Sequence, residues 1–144
     1  MTEKLLEIED LSVIYKTDEE TVYAVNGIDL TLDKGETLGL VGETGAGKTT
    51  TALSIMRLLP DRTGKITHGR ISLGELDITK ATEADMQLIR GNGISMVFQD
   101  PMTSLNPILT VGEQIAEVLQ LHRRGMGSAE TEKRVDEILE LVGL

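Results

Sequence analysis

An α/β fold is predicted by three features of this 144-residue chain. Partial apolar alternation over residues 5–15 predicts one strand, and residues 22–32 predict a second strand that is broken near Asn26-Gly27. A short apolar run, residues 37–41, predicts a third strand that leads into a glycine-rich turn. Residues 49–59, which follow this turn, have helical apolar spacing. The order strand, glycine-rich turn and helix is typical of α/β proteins that bind phosphate groups.

The remaining elements follow from local patterns. Asp33-Lys34-Gly35 predicts a turn between strands, and Pro60 is expected to end the helix whose core-facing residues are Ala52, Ile55, Met56 and Leu59. Residues 66–78, punctuated by glycines, predict further antiparallel strand. Residues 81–89 predict a short helix, and residues 94–98 predict a buried strand.

Two amphipathic helices are predicted after residue 110. The apolar face of the first helix consists of Val111, Ile115, Val118 and Leu119. The second helix is expected to start with Ser128 as its N-cap and to stop at Gly143. Its apolar face consists of Val135, Ile138, Leu139 and Val142. The simplest interpretation of both apolar stripes is packing into a core.

The glycine-rich turn is a complete G-x-x-x-x-G-K-S/T motif, formed by Gly42, Glu43, Thr44, Gly45, Ala46, Gly47, Lys48 and Thr49. Gly42, Gly45 and Gly47 are expected to adopt positive φ, so that successive N–H groups form a nest for phosphate oxygens. In this motif the lysine reaches the β- and γ-phosphates and the hydroxyl after it binds Mg²⁺. The motif therefore predicts a nucleotide site that uses Lys48 and Thr49.

Composition excludes several classes of function. The net charge of −10 argues against a nucleic-acid-binding face. The chain has no cysteine, which excludes a disulfide framework and a thiol nucleophile. It has no apolar run of membrane-spanning length and no secretory signal at its start. We therefore expect a soluble chain that reaches a membrane only through a partner.

A second informative stretch covers residues 96–107, in which an apolar run ends at Gln99 and two prolines, Pro101 and Pro107, follow. On residue pattern alone two interpretations stay open. In the first, Asp100 is a metal-orienting acid at a strand end, although such an acid normally ends the apolar run itself, whereas here Gln99 intervenes and Pro101 follows at once. In the second, Gln99 is a solvated turn residue, which is the default from spacing alone.

Together, the phosphate loop and the run Phe98-Gln99-Asp100-Pro101 with Ser104-Leu105-Asn106-Pro107 closely resemble the ATP-binding subunits of ABC transporters. The branch is the one that serves peptide and nickel importers, and Met102-Thr103 resembles its D-type subunit. Thr44, Ala46 and Thr49 stand where serine is common, but all three keep the loop small.

The resemblance implies a P-loop NTPase fold of the ABC ATPase type. It assigns residues 1–34 and 65–80 to an antiparallel β subdomain, residues 35–64 and 90–99 to a RecA-like ATP-binding core, and residues 100–144 to the start of a helical subdomain. It also implies that the chain is truncated. No signature motif, Walker B strand or switch histidine occurs before Leu144.

The resemblance also implies residue roles. Lys48 and Gln99 are expected to be catalytic, and Thr49 and Gln99 to serve Mg²⁺. Tyr15 is expected to stack on adenine, with Tyr23 the weaker candidate. Thr50 is expected near the α-phosphate, and ATP is expected to contact the whole segment 42–50.

The implied partners are proteins. The segment Asp100 to Leu109 is expected to contact transmembrane permease subunits, and a second ATP-binding subunit is expected to form a head-to-tail dimer with this one. An extracytoplasmic solute-binding protein would act indirectly. The implied location is peripheral, on the cytoplasmic face of the plasma membrane.

Two further expectations concern residues 1–144 on their own. Without the missing motifs we expect no ATP hydrolysis, and without neighbouring strands we expect partial folding or aggregation.

Two rival interpretations of the function remain. A complete small kinase or GTPase would need a metal acid and, for a GTPase, an N-K-x-D guanine motif, which is absent. A non-catalytic nucleotide-binding or permease-docking module would bind without turnover.

Overall fold

The computed structural model describes residues 4–99, 104–123 and 125–144. It contains two compact units, Met1–Ile94 and Ser95–Leu144, which we treat separately. Among the described residues, no helix has both the length and the apolar character that crossing a bilayer requires.

The first unit contains a four-stranded antiparallel sheet. Its strands are β1 (Lys4–Lys16), β2 (Thr21–Asp33), β3 (Gly64–Leu73) and β4 (Leu76–Asp77), in the spatial order β2-β1-β3-β4. The central strand, β1, is therefore paired on both edges. The predicted strands at 5–15, 22–32 and 66–78 are confirmed in type, and the core lies on one face of this sheet. Its buried apolar members are Leu6, Ile8, Leu11, Val13, Val25, Ile71, Ile78 and Met86.

A bulge crosses three strands at one level of the sheet. Asp10 in β1 (φ 47°), Gly27 in β2 (φ 62°) and Gly69 in β3 (φ 90°) all have left-handed backbone. An added Cβ at Gly69 would overlap the carbonyl oxygens of Glu9 and Asp10, so this close approach requires glycine. The Asp10 N–H donates to the Asp29 carboxylate of β2 (2.8 Å), so a side chain of the neighbouring strand stabilises the bulge.

The bulge explains why apolar alternation is only partial in the sequence. In each strand, the residues that face the core switch between odd and even numbers at the bulge. The switch occurs because one extra residue in the strand shifts the in–out alternation by one position. The core-facing positions are Leu6, Ile8, Leu11 and Val13 in β1, then Val25, Ile28, Leu30 and Leu32 in β2, and Ile66, Ile71 and Leu73 in β3. The break predicted near Asn26-Gly27 is thus one part of a feature that all three strands share.

Helix α1 (Lys48–Met56) starts at the phosphate loop. Its end differs from the expectation, because Arg57 adopts the left-handed conformation (φ 51°) and terminates the helix three residues before Pro60. Its buried residues are Thr50, Thr51, Ser54 and Met56. Ile55 and Leu59 pack against the core as predicted. The buried hydroxyl groups are satisfied within the helix, since Ser54 donates to the Thr50 carbonyl (2.7 Å) and Thr51 to the Gly47 carbonyl (3.0 Å).

The predicted strands at 37–41 and 94–98 do not form. Residues 37–41 lie outside regular structure, and residues 94–98 make only one isolated bridge, between Arg90 and Ile94. Val41 and Val97 are 95% and 96% exposed. A strand needs a hydrogen-bonded neighbour, and no described residue supplies one to these segments beyond that bridge. The apolar residues of 37–41, together with Val97 and Phe98, are instead exposed to solvent, while Ile94 and Met96 are half-buried.

The predicted short helix is α2 (Glu83–Ile89), which completes the first unit. Arg90, just after it, donates to the carbonyl oxygens of Met56 (2.9 Å) and Arg57 (3.1 Å) and pairs with Glu83 (2.5 Å). One guanidinium therefore closes the C-terminal end of α1 and holds it to α2.

The second unit is a helical hairpin of α3 (Val111–His122) and α4 (Ser128–Leu141). Both predicted helices are confirmed as elements, although Gly127 and not Ser128 is the N-cap of α4. The expectation that both apolar stripes pack into a core is wrong in part, because Val135 is buried but Val118 and Val142 are 55% and 66% exposed. Gly143 (φ 85°) stops α4 as predicted. The N–H groups of Gly143 and Leu144 donate to the carbonyls of Glu140 (3.1 Å) and Leu139 (3.0 Å), which is a Schellman motif.

Candidate phosphate-binding site

The glycine-rich loop has the backbone that the motif predicts at two of its three glycines. Gly45 has φ 85° and Gly47 has φ 84°, whereas Gly42 is not in the left-handed region. The expectation for Gly42 is therefore wrong. The space at Gly42 is restricted, because a Cβ there would lie 3.2 Å from the Ala46 Cβ, which would have to shift slightly, and in ordinary contact with the Lys48 Nζ at 3.9 Å.

Gly47 joins the loop to the sheet. It is buried, it is the N-cap of α1, and an added Cβ would overlap the carbonyl oxygen of Ala24 in β2. The side chain of Val25 would also be 3.2 Å away. The backbone of β2 therefore sets the position of the start of α1.

The Lys48 ammonium lies across the loop. Its Nζ donates to the carbonyl oxygens of Gly42 (2.6 Å) and Glu43 (2.7 Å). An ammonium carries three donors, so two fix the side chain and one is left for a further acceptor. The loop thus places a positive charge above its own backbone, in a chain whose net charge is −10.

The N-terminus of α1 is left open. The helices α2 and α3 begin with capping boxes, in which Thr82 pairs with Asp85 and Thr110 pairs with Glu113. These hydrogen bonds lower the pKa of each carboxyl. In α1, by contrast, Gly47 offers no side-chain cap and the first turn holds no acid. The first N–H groups of the helix and the positive end of its dipole are free to meet an anion.

Thr49 and Thr50 face different surroundings. The side chain of Thr49 is exposed, which leaves its hydroxyl available as a ligand, whereas Thr50 is only 9% exposed. The Tyr15 hydroxyl donates to the Thr50 Oγ1 over 3.3 Å. The structure therefore brings Tyr15, at the end of β1, to the first turn of α1. Tyr23 is 70% exposed, on the edge strand β2.

The site fits a nucleotide phosphate group. The loop combines two left-handed glycines, a cradle that a Cβ at Gly42 would narrow, an ammonium with a remaining donor, and an open helix N-terminus. No cluster of three acids or histidines that could hold a metal occurs in residues 4–99, 104–123 and 125–144. Among the described residues, the exposed hydroxyl of Thr49 is an oxygen that a Mg²⁺ ion could take as a ligand.

Gln99 belongs to the second unit, so the structure does not relate it to the phosphate loop. It is exposed and follows the irregular segment 95–98. Asp100, Pro101, Met102 and Thr103 lie outside the described residues. Of the predicted permease contact, residues 104–109 are described, and they are exposed, with Ile108 at 88%.

Comparison with known proteins identifies the class. The family model described as "ABC transporter" matches residues 25–144. The chain therefore belongs to the ABC transporter family, as the loop and the Gln99 segment indicated.

Individual relatives are more specific. The chain is 50% identical over 139 residues to the oligopeptide transport ATP-binding protein AppD of Bacillus subtilis, and the match covers 96% of this chain. It is 46% identical to the dipeptide transport ATP-binding protein DppD of the same organism, with 99% of this chain covered. These matches cover 42% of each relative, so the chain spans well under half the length of these relatives.

Solved structures agree on the fold. The dimeric ATP-binding cassette MJ0796 in a post-hydrolysis state with ADP and Pi superposes with a TM-score of 0.79 at 27% identity. A dimeric structure of the same bacterial ABC transporter cassette gives 0.82 at 28% identity. Each match covers 97% of this chain and 58% of the cassette. The predicted fold class, an ABC-type ATPase cassette, is confirmed, while the subdivision into residue ranges stays a prediction.

Two contacts of the site were not predicted from the sequence. Ala24 supports Gly47 from the neighbouring strand, and Gly64, at the start of β3, lies against the ring of Tyr15. Both are contacts between segments far apart in the chain. Local residue patterns do not encode such contacts, because one depends on how β2 meets the start of α1 and the other on how β1 pairs with β3.

Proposed function

We propose that the chain forms the nucleotide-binding part of the ATP-binding subunit of an ABC importer, and that the intact subunit couples hydrolysis of Mg-ATP to peptide uptake. The observation that carries this proposal is the Lys48 ammonium, which two loop carbonyls hold, in the first turn of a helix that has no side-chain cap. The names of the similar Bacillus subtilis proteins, which are oligopeptide and dipeptide transport ATP-binding proteins, support the substrate class.

Each site residue has a proposed role. Lys48 neutralises charge on the β- and γ-phosphates, and the N–H groups of residues 42–50 donate to phosphate oxygens. Thr49 supplies a hydroxyl to Mg²⁺, and Gln99 serves the metal and orients the attacking water. Tyr15 stacks on adenine. Phosphoryl transfer then depends on positioning and charge stabilisation more than on covalent chemistry of the protein.

The proposed partners follow from the same family. Two ATP-binding subunits associate head-to-tail, which is consistent with the dimeric cassettes that the chain resembles. The segment from Asp100 to Leu109 contacts permease subunits at the cytoplasmic face of the plasma membrane. An extracytoplasmic solute-binding protein delivers the substrate and does not contact this chain.

The role of Lys48 is tested by substitution in the native gene product. The variant Lys48→Ala removes a charge-assisted donor, and we expect its affinity for Mg-ATP to fall about ten- to hundredfold, with loss of ATPase activity. Isothermal titration calorimetry and a phosphate-release assay give the two readouts. Lys65→Ala is the matched control, because Lys65 is an exposed lysine in β3.

The outcomes separate the rival functions. Unchanged turnover by Lys48→Ala would refute the assigned role. ATP binding by the unmodified protein with no phosphate release, even beside a partner subunit, would favour a non-catalytic binding module. A preference for guanine over adenine nucleotides in competition would favour a GTPase.

A further inference from the structure

One hydrogen bond in the first unit connects two parts of the site that are far apart in the sequence. The Tyr15 hydroxyl donates to Thr50 Oγ1 over 3.3 Å, and the two residues are separated by 35 positions. Tyr15 is the last apolar residue of β1, and Thr50 lies in the first turn of α1. Of the two tyrosines in the chain, only this one is half-buried.

The ring of Tyr15 is confined from a second side. Tyr15 is paired across the sheet with Gly64 of β3, and an added Cβ on Gly64 would lie 3.2 Å from Tyr15 Cε1. The same Cβ would lie 2.9 Å from the Leu59 Cβ. The glycine therefore leaves space beside the ring that a larger residue would narrow. Gly64 thus makes room for the ring, and the hydrogen bond to Thr50 holds the Tyr15 hydroxyl at the first turn of α1.

Thr50 is itself firmly held. It is 9% exposed, and its carbonyl accepts the Ser54 hydroxyl at 2.7 Å. A threonine hydroxyl has one donor and two acceptor positions. When Tyr15 occupies an acceptor position, the Thr50 proton is still available to donate, and hydrogen bonds in such a chain strengthen one another.

We propose that Thr50 is a positioning residue for Tyr15, and that their hydrogen bond makes the base-binding and phosphate-binding parts of the site a single unit. The proposal rests on the proposed function, in which Tyr15 stacks on adenine. It adds that Tyr15 contributes through its hydroxyl as well as its ring. It also adds that Thr50 affects recognition of the base, which a contact with phosphate alone would not do.

The test compares two ligands in the native gene product. Calorimetry measures the affinities for Mg-ATP and for magnesium tripolyphosphate, which has phosphates but no base. Tyr15→Phe keeps the ring and removes the hydroxyl, and we expect it to weaken Mg-ATP about two- to tenfold without changing tripolyphosphate. Thr50→Val should lower the affinity for Mg-ATP relative to that for tripolyphosphate by the same factor. Thr50→Ser, which keeps the hydroxyl, should have the same affinity ratio as the unmodified protein. Tyr23→Phe is the matched control and should change neither affinity.

The double variant Tyr15→Phe/Thr50→Val decides whether the two residues act through one bond. We expect its affinity ratio to equal that of either single variant. Additive effects on the ratio, or an unchanged Mg-ATP affinity in Tyr15→Phe, would overturn the proposal while leaving the phosphate site intact. Failure of the unmodified protein to bind either ligand would instead refute the proposed function. If Thr50→Val does not fold, Tyr15→Phe supplies the answer, because it removes the donor of the same hydrogen bond and leaves the buried Thr50 unchanged.

Discussion

Replacing Gly47 with alanine tests how the phosphate loop is joined to the sheet. At φ 84° an alanine is strained by about 1–2 kcal/mol. Its Cβ would also overlap the Ala24 carbonyl oxygen of β2, and relieving such overpacking costs typically about 1–3 kcal/mol. We therefore expect Gly47→Ala to lower the free energy of unfolding by about 2–5 kcal/mol in total.

Gly45 provides the matched control, because its φ is 85° and a Cβ there would meet no atom within 4 Å. Gly45→Ala should therefore show only the backbone strain, about 1–2 kcal/mol. Urea unfolding of the native gene product measures both values. Equal losses of stability in the two variants would refute the argument that β2 sets the position of the loop.

Three further predictions concern stability. Arg90→Ala removes the donors to the Met56 carbonyl and should lower the free energy of unfolding by about 1–3 kcal/mol; an unchanged urea midpoint would contradict this. The pKa of Asp77 is lowered below 3.8, first by the Thr79 hydroxyl and then by Arg70 and Lys80, so its charged form stabilises the fold above that pH. The difference in unfolding free energy between the native protein and Asp77→Asn should accordingly shrink as the pH falls through the lowered pKa; a difference that does not vary with pH would exclude the effect. Residues 1–144 on their own should bind a hydrophobic dye and aggregate, because apolar segments such as 37–41 are exposed, and a sharp cooperative thermal transition would count against this.

Local patterns were sufficient where an element depends on its own residues. The strands of the antiparallel sheet, α2 and both helices of the second unit follow from alternation, helical spacing and turn residues. The phosphate loop is similar, since its glycines and Lys48 carry the geometry within eight consecutive residues, 42–49. The end of α1 was misplaced because Arg57 adopts a left-handed conformation, which a non-glycine residue seldom does.

The sequence was insufficient where an element depends on a distant segment. Residues 37–41 and 94–98 have the composition of buried strands, but a strand exists only with a neighbour to pair with. The contact of Tyr15 with Thr50 depends on how β1 and α1 pack, and neither residue predicts it alone. The roles of Tyr15 and Gln99 came from the family resemblance and stay predictions.

The bulge at Asp10 determines more than the shape of the sheet. Because it shifts the parity of β1, Leu11, Val13 and Tyr15 lie on the same side as Ile8. Deleting one residue at the bulge would turn Tyr15 towards the opposite side of the sheet, away from α1, although the tyrosine itself would be unchanged. Insertions and deletions near residue 10 are therefore as consequential for the candidate nucleotide site as substitutions within it.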